Sequence, residues 1–334
     1  MKIFNRGLRQ NALKGQVLAV VLLLFVLLCG CADRDTQVSA SADGTSEPGA
    51  NAEQSVEYIY GIPMDETAAV VTESVADIFE KPDVKSDRIT QVLCNQPVSV
   101  FSNDGGWANV KTINGITGWI KSRYISGDVS SITGRVYTYR IIVTSREKTV
   151  YSGPSGGITQ VSAQMGTEFY AFNNIDDAYE VFLPGNTTGW LRGSGIIRVP
   201  TGDAIPVTNA DDFAATALRF KGTTFMLGGM SSIGIDSPSL VYICARINGI
   251  NLPTTIEGQM STGTEIEIDD AKAGDLVFLS GTGDNEAGTV TCVGVSIGDG
   301  SYLYSGRKTG YVAIGDIYRE NPDGVVVAVR RIFN

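Results

Sequence analysis

Histidine is absent from all 334 residues. Imidazole is the usual general base near neutral pH and the usual activator of serine and cysteine nucleophiles. Its absence excludes Ser/His/Asp and Cys/His arrangements and imidazole-based zinc sites, leaving carboxylates, lysines and tyrosines as bases. Cysteine is scarce, with five in the chain. Cys94, Cys244 and Cys292, odd in number and widely spaced, read as buried thiols rather than a disulfide framework. Positive charge is in deficit, with 26 Lys and Arg against 36 Asp and Glu and a net charge of -10. Coulomb repulsion from such a surface disfavours nucleic acid. No motif calls for a metal or a cofactor.

What is present points to a globular, loop-rich, largely β chain: 43% hydrophobic residues, 8% aromatics and 39 glycines. The first 30 residues carry Lys2, Arg6, Arg9 and Lys14, then twelve apolar residues from Val17 to Leu28. That run is short for a bilayer span and suits a signal-peptide core. Its end, Leu28-Cys29-Gly30-Cys31, resembles a bacterial lipobox, which implies cleavage before Cys31 and a lipid on that cysteine. The alternative is an ordinary secretory signal followed by a free thiol. Removing residues 1–30 takes the charge from -10 to -14. Residues 31–57, rich in Ser, Ala, Gly and acidic side chains, cannot bury a core and read as a disordered tether.

An internal repeat follows. Phe79-Glu80-Lys81-Pro82 is echoed 72 residues later by Tyr151-Ser152-Gly153-Pro154, Ile89-Thr90-Gln91-Val92 recurs 69 later, and Thr117-Gly118-Trp119-Ile120 recurs 71 later. Three landmarks in one order at nearly one offset define two units, 58–130 and 131–200. Short alternating runs broken by Gly and Asn turns predict two small β-barrels. Both resemble bacterial SH3 (SH3b) domains, whose last strands carry a Gly-Trp pair like Gly118-Trp119 and Gly189-Trp190. The three tryptophans read as core or groove-wall residues, with ligand stacking as the alternative.

Residues 205–334 change pattern. "DDFAATALRFKG" predicts one helix, and a second starts at Ser237-Pro238, with Ser237 as N-cap, and stops at Asn248-Gly249. Strands follow, so this region reads as α+β. Its motifs, "GIDSPSLV", "LPTT", "GQMSTG", "AGDLVFLS" and "VGVSIGDGSYLYSG", resemble the NlpC-type cell-wall endopeptidases, papain-like cysteine peptidases that cut peptidoglycan stem peptides. With two SH3b units in front, the order resembles the subgroup that releases dipeptides at γ-D-glutamyl bonds.

The resemblance also implies where chemistry belongs. The family pattern G-I-D-C-S-G-L places a cysteine nucleophile where this chain has Ser237. The family's histidine base falls on Cys292, and its third, orienting residue on Tyr304. A serine hydroxyl ionises far above neutral pH, and a helix terminus contributes only about 0.3–2 kcal/mol toward its anion. A pseudoenzyme is therefore expected. Asp236 is implied to recognise the free amine of an incoming L-alanine together with groups from the first SH3b unit, or else to stabilise the helix start. Asp236, Ser237 and Ser239 are the expected ligand-binding residues, and a stem peptide or an envelope protein the expected partner. An active peptidase with a non-histidine base and a purely structural envelope lipoprotein remain as alternatives.

Overall fold

The computed structural model describes residues 56–281 and 288–333. The signal segment, Cys31 and nearly all of the tether lie outside them. A hairpin of β1 (Tyr58–Ile59) and β2 (Ile62–Pro63) comes first.

Seven strands then make one antiparallel sheet: β3 (Ala68–Val71), β4 (Val75–Phe79), β5 (Arg88–Leu93), β6 (Pro97–Asp104), β7 (Trp107–Thr112), β8 (Thr117–Lys121) and β9 (Ile125–Ser126). A second sheet contains β10 (Tyr139–Val143), β11 (Glu147–Gly153), β12 (Gly156–Gln164), β13 (Glu168–Ile175), β14 (Ala178–Leu183), β15 (Thr187–Arg192) and β16 (Ile196–Pro200). The orders are β5-β4-β8-β7-β6-β3-β9 and β12-β11-β15-β14-β13-β10-β16, the same connectivity twice. The repeated Gly-Trp pairs take equivalent places, Trp119 opposite Phe79 and Trp190 opposite Tyr151. A Cβ on Gly118 would stand 2.6 Å from Ile78 Cγ2, and one on Gly189 2.5 Å from Val150 Cγ1. Close strand approach explains the glycine in each pair. Trp107 and Trp190 are buried and Trp119 is half-buried. Trp107 packs edge-on against Phe79 with the Lys121 ammonium 3.6 Å above its ring.

The third region holds the helices α1 (Ala210–Leu218), α2 (Ser237–Ile247) and α3 (Ile256–Met260), with the short pair β17 (Met230–Ser231) and β18 (Gly234–Ile235). Behind them lies an antiparallel sheet of β19 (Thr264–Ile266), β20 (Leu276–Ser280), β21 (Val290–Gly298), β22 (Ser301–Ser305), β23 (Val312–Asp316) and β24 (Val325–Arg331), in the order β19-β24-β20-β21-β22-β23. Among the described residues the α-helices are confined to this region. The fold as a whole is mostly β, and the α+β description expected for the chain applies to its last third. None of the described helices is long and apolar enough to cross a membrane.

Helix α2 is the central element. Nine of its eleven residues are buried, and Leu240, Val241, Ile243 and Cys244 pack against Phe278, Val293 and Leu303 of the sheet. A fully buried aliphatic side chain of this kind contributes about 1.5–3 kcal/mol relative to exposure. The same core takes in Ile142, Met165 and Val199 of the second sheet, so the repeat and the third region share one interior. Cys94, Cys244 and Cys292 are all buried and unpaired thiols.

Candidate functional site

The cleft forms where the start of α2 meets β21 and the turn between β22 and β23. Asp236 is the helix N-cap: its Oδ1 accepts the Ser239 N–H at 3.0 Å and its Oδ2 accepts the Gly228 N–H at 2.9 Å. Ser237 is therefore the first helical residue and Pro238 the second, which corrects the expectation that Ser237 caps the helix. A carboxylate brings two acceptor oxygens and a charge suited to the helix N-terminus, so it holds the helix and the preceding loop together; a serine hydroxyl reaches one of them. Burial pushes the Asp236 carboxyl above the ordinary carboxylate range, outweighing the lowering effect of its hydrogen bonds to Ser239 and Gly228.

Ser237 is 4% exposed, and its Oγ accepts the Val293 N–H at 3.3 Å. Cys292 lies beside it. Burial pushes this thiol up to about 12, although the Ser237 hydroxyl bonds to it and acts in the opposite direction. Its sulfur donates weakly to the Ser305 carbonyl at 3.7 Å, and the Ser305 hydroxyl ties the end of β22 to the Ile235 carbonyl at 2.7 Å. Tyr304 is 2% exposed. Its hydroxyl is 3.1 Å from Thr309 Oγ1, which donates to Asp323 Oδ2 at 2.6 Å. Because the threonine proton goes to the carboxylate, the tyrosine proton goes to the threonine, and the chain of donors runs away from Cys292. Burial raises the Tyr304 phenol above its ordinary value.

These side chains border a cavity of about 220 Å³, whose lining includes Phe225, Leu227, Asp236, Ser237, Cys292 and Arg307. Every lining residue comes from the third region. Ser239 is not among them: its side chain is buried within α2, and its contribution is the N–H given to Asp236. Sequence reasoning missed Arg307 and Asp323. The second also accepts the Lys308 N–H at 2.6 Å and the Thr309 N–H at 3.1 Å, which fixes the turn at the cleft mouth. Its signal was the turn tetrad Asn321-Pro322-Asp323-Gly324. No cluster of three or more metal-ligating side chains forms among the described residues.

The first sheet touches the cleft indirectly. Gln91 Oε1 accepts the Met230 N–H at 2.9 Å, and the Arg88 guanidinium donates to the Leu227 carbonyl at 3.3 Å. Asp77 holds both partners, at 2.9 Å from Gln91 and 2.7 Å from Arg88. The loop seated there carries Gly228 at φ +67°, and a Cβ on it would lie 2.9 Å from the Arg88 carbonyl. The first sheet thus sets the position of the loop that gives its N–H to Asp236, while placing none of its own side chains in the cavity.

The chain that forms this cleft, with a buried helix start facing a strand and a twice-repeated antiparallel sheet ahead of it, matches known families in two places. Residues 222–331 match the NlpC/P60 family and residues 74–126 match the bacterial SH3 domain. The chain is similar to the NlpC/P60 family through the first of these segments. Its relatives include the γ-D-glutamyl-L-lysine dipeptidyl-peptidase of Bacillus subtilis strain 168, 25% identical over 262 residues that cover 73% of this chain and 81% of that protein. The bifunctional muramidase/DL-endopeptidase CwlT of the same organism is 34% identical over 119 residues, which cover 32% of this chain and 36% of CwlT. The crystal structure of an NlpC/P60 family protein from Bacillus cereus superposes with a TM-score of 0.71 at 21% identity, covering 80% of this chain and all of that one. That likeness is one of fold.

Proposed function

We propose that this protein is a catalytically inactive member of the peptidoglycan hydrolase family that binds cell-wall stem peptides in the cleft at the start of α2. One observation carries the reading: among the described residues no base is bonded to the Ser237 hydroxyl, and the adjacent Asp236 carboxylate has its oxygens taken by the Ser239 and Gly228 N–H groups. Its bonding partners are a backbone N–H and a thiol pushed up to about 12, and neither accepts a proton near neutral pH. The Tyr304 proton is directed to Thr309, so the phenol does not substitute for an orienting imidazole. The backbone frame that shapes the cleft is intact, which favours binding without turnover. The name of the Bacillus subtilis relative supports a γ-D-glutamyl peptide as ligand.

Further parts of the reading are proposals of the same kind. Residues 58–130 and 131–200 act as two SH3b units, 205–334 is the peptidase-like domain, and residues 1–30 are a signal peptide. A lipid on Cys31 holds the protein at the cell envelope through the tether of residues 31–57.

Calorimetric titration with L-Ala-γ-D-Glu-diamino-acid peptides, together with chromatography of the same mixtures after prolonged incubation, tests the function. Saturable binding with intact peptide is the expected result. Cleavage would establish an active peptidase, and absence of binding would favour an envelope protein as partner or a structural role.

A further inference from the structure

A second cavity, of about 920 Å³, shares no lining residue with the cleft and forms where the β1–β2 hairpin meets the linker before β10 and the second sheet. Its lining holds two carboxylates, Glu57 and Asp203, and two guanidinium groups, Arg135 and Arg140. In a chain with a net charge of -10, this is a locally balanced surface. It favours neither an anion nor a cation. Tyr58, Tyr60, Tyr137 and Tyr170 supply aromatic faces to the same space.

Most of the polar groups here are already engaged. Tyr137 donates to the Ser130 and Thr133 carbonyls at 3.0 and 2.8 Å, Glu57 accepts from Thr133, and Arg140 is held by Glu168 and the Asp203 carbonyl. Arg135 lies over the Phe182 ring, 4.4 Å from its centroid. Tyr170 differs. It is 8% exposed, with its ring packed beside Val70 and Ile132 and 5.0 Å from Tyr137. Its hydroxyl has no hydrogen-bond partner among the described residues. The ring is buried while the hydroxyl stays within reach of solvent at the cavity, so it is free to bond a ligand's polar group in place of water. Tyr58 at the rim is 66% exposed, leaving ring surface available for contact.

We infer that this cavity is a binding site for a neutral oligosaccharide, with Tyr58 contacting the flat face of a sugar ring and the Tyr170 hydroxyl bonding a sugar hydroxyl. Balanced charge, exposed aromatic surface and a hydroxyl bordering an open cavity with no protein partner suit a ligand that is polyhydroxylic, uncharged and flat on one side. Burial pushes the Tyr170 phenol up to about 12, so it stays protonated and able to donate throughout the physiological range. The site is independent of stem-peptide binding in the cleft.

The test is titration of the full chain, purified in detergent, with two linear tetrasaccharides, one of glucose and one of N-acetylglucosamine. At least one should bind saturably. Tyr170→Phe, which removes only the hydroxyl, should weaken that binding about tenfold, the worth of one hydrogen bond with a desolvated partner. Tyr58→Ala, at an exposed position, should weaken it by a comparable factor, and Asp236→Asn should leave it unchanged. Failure of both sugars to bind overturns the inference, as does binding indifferent to both tyrosine variants. Saturation of the same site by a synthetic peptide of residues 32–55 would also overturn it, by showing that the occupant is the chain's own tether.

Discussion

Glu168 of β13 and Arg246 of the last turn of α2 meet at 2.6 Å, with the carboxylate only 8% exposed. The same carboxylate holds Arg140 at 3.1 Å and bonds the Tyr60 hydroxyl, and the Arg246 guanidinium lies 4.4 Å from the Tyr60 ring centroid. Asn95 of the first sheet reaches the Glu168 carbonyl at 3.1 Å. One residue thereby joins the hairpin, both sheets and the helix whose opposite end forms the cleft.

Glu168→Gln should accordingly be among the most damaging single changes in the chain. It leaves Arg140 and Arg246 largely buried without their counter-charge, at a cost of about 3–5 kcal/mol. Urea unfolding of the variant and the wild type measures the difference. A loss of only a few tenths would mean that the pair is solvated.

The raised carboxyl of Asp236 gives a pH signature with a definite sign. Between the ordinary carboxylate value and its higher folded value, the folded state holds the proton more often than the unfolded state does. The Asp236 contribution to stability therefore falls as pH rises through that window. Asp236→Asn removes it, so the stability of wild type minus variant should decrease from pH ~4 upward, starting at the unfolded carboxylate value. Parallel denaturation series show whether the difference changes with pH or stays flat.

Ser237→Cys alone should remain without peptidase activity, because Cys292 and Tyr304 still offer no base. Ser237→Cys combined with Cys292→His and Tyr304→His should gain turnover of a γ-D-glutamyl peptide, read by dipeptide release. Activity in the single variant would reveal a base elsewhere in the cleft.

Gly228→Ala should destabilise through backbone rather than side chain. The new Cβ meets the Arg88 carbonyl at 2.9 Å and needs φ +67°, so a loss of about 1–3 kcal/mol is expected. It should also weaken stem-peptide binding, since the Asp236-bonded loop moves with it. Thermal unfolding and peptide titration of one sample report both effects.

Cys31→Ser should release the protein from membranes into the soluble fraction after a high-salt wash, with the unfolding transition of the folded part unchanged. Retention on the membrane after that wash would point to an attachment other than the lipid.

The doubled connectivity was legible because repeated landmarks such as Gly118-Trp119 and Gly189-Trp190 recur at a fixed offset, and both tryptophans face the equivalent β4 and β11 strands. The stop of α2 was legible for a local reason: Asn248 is its C-cap and Gly249 adopts φ +76°. The start was misplaced by one residue. Choosing between Asp236 and Ser237 as cap depends on whether Gly228, eight positions earlier, supplies a second donor. The Tyr304-Thr309-Asp323 direction of donation and the Glu168 junction were invisible for the same reason, since they join residues up to 108 positions apart and have no periodic pattern in the chain.

The seam between the first sheet and the cleft loop also bears on how the chain can be divided. Cutting before residue 205 would strip the Met230 N–H of Gln91, the Tyr242 hydroxyl of Asn114 at 2.7 Å, and Arg246 of Glu168. The severed domain would lose those polar partners and also bare the apolar core surface that Ile142, Met165 and Val199 cover, leaving it prone to self-association and poorly fixed at the very loop that orients Asp236. Ligand measurements on such a fragment would report a slackened cleft, so the repeat units belong in any sample used to weigh its affinity.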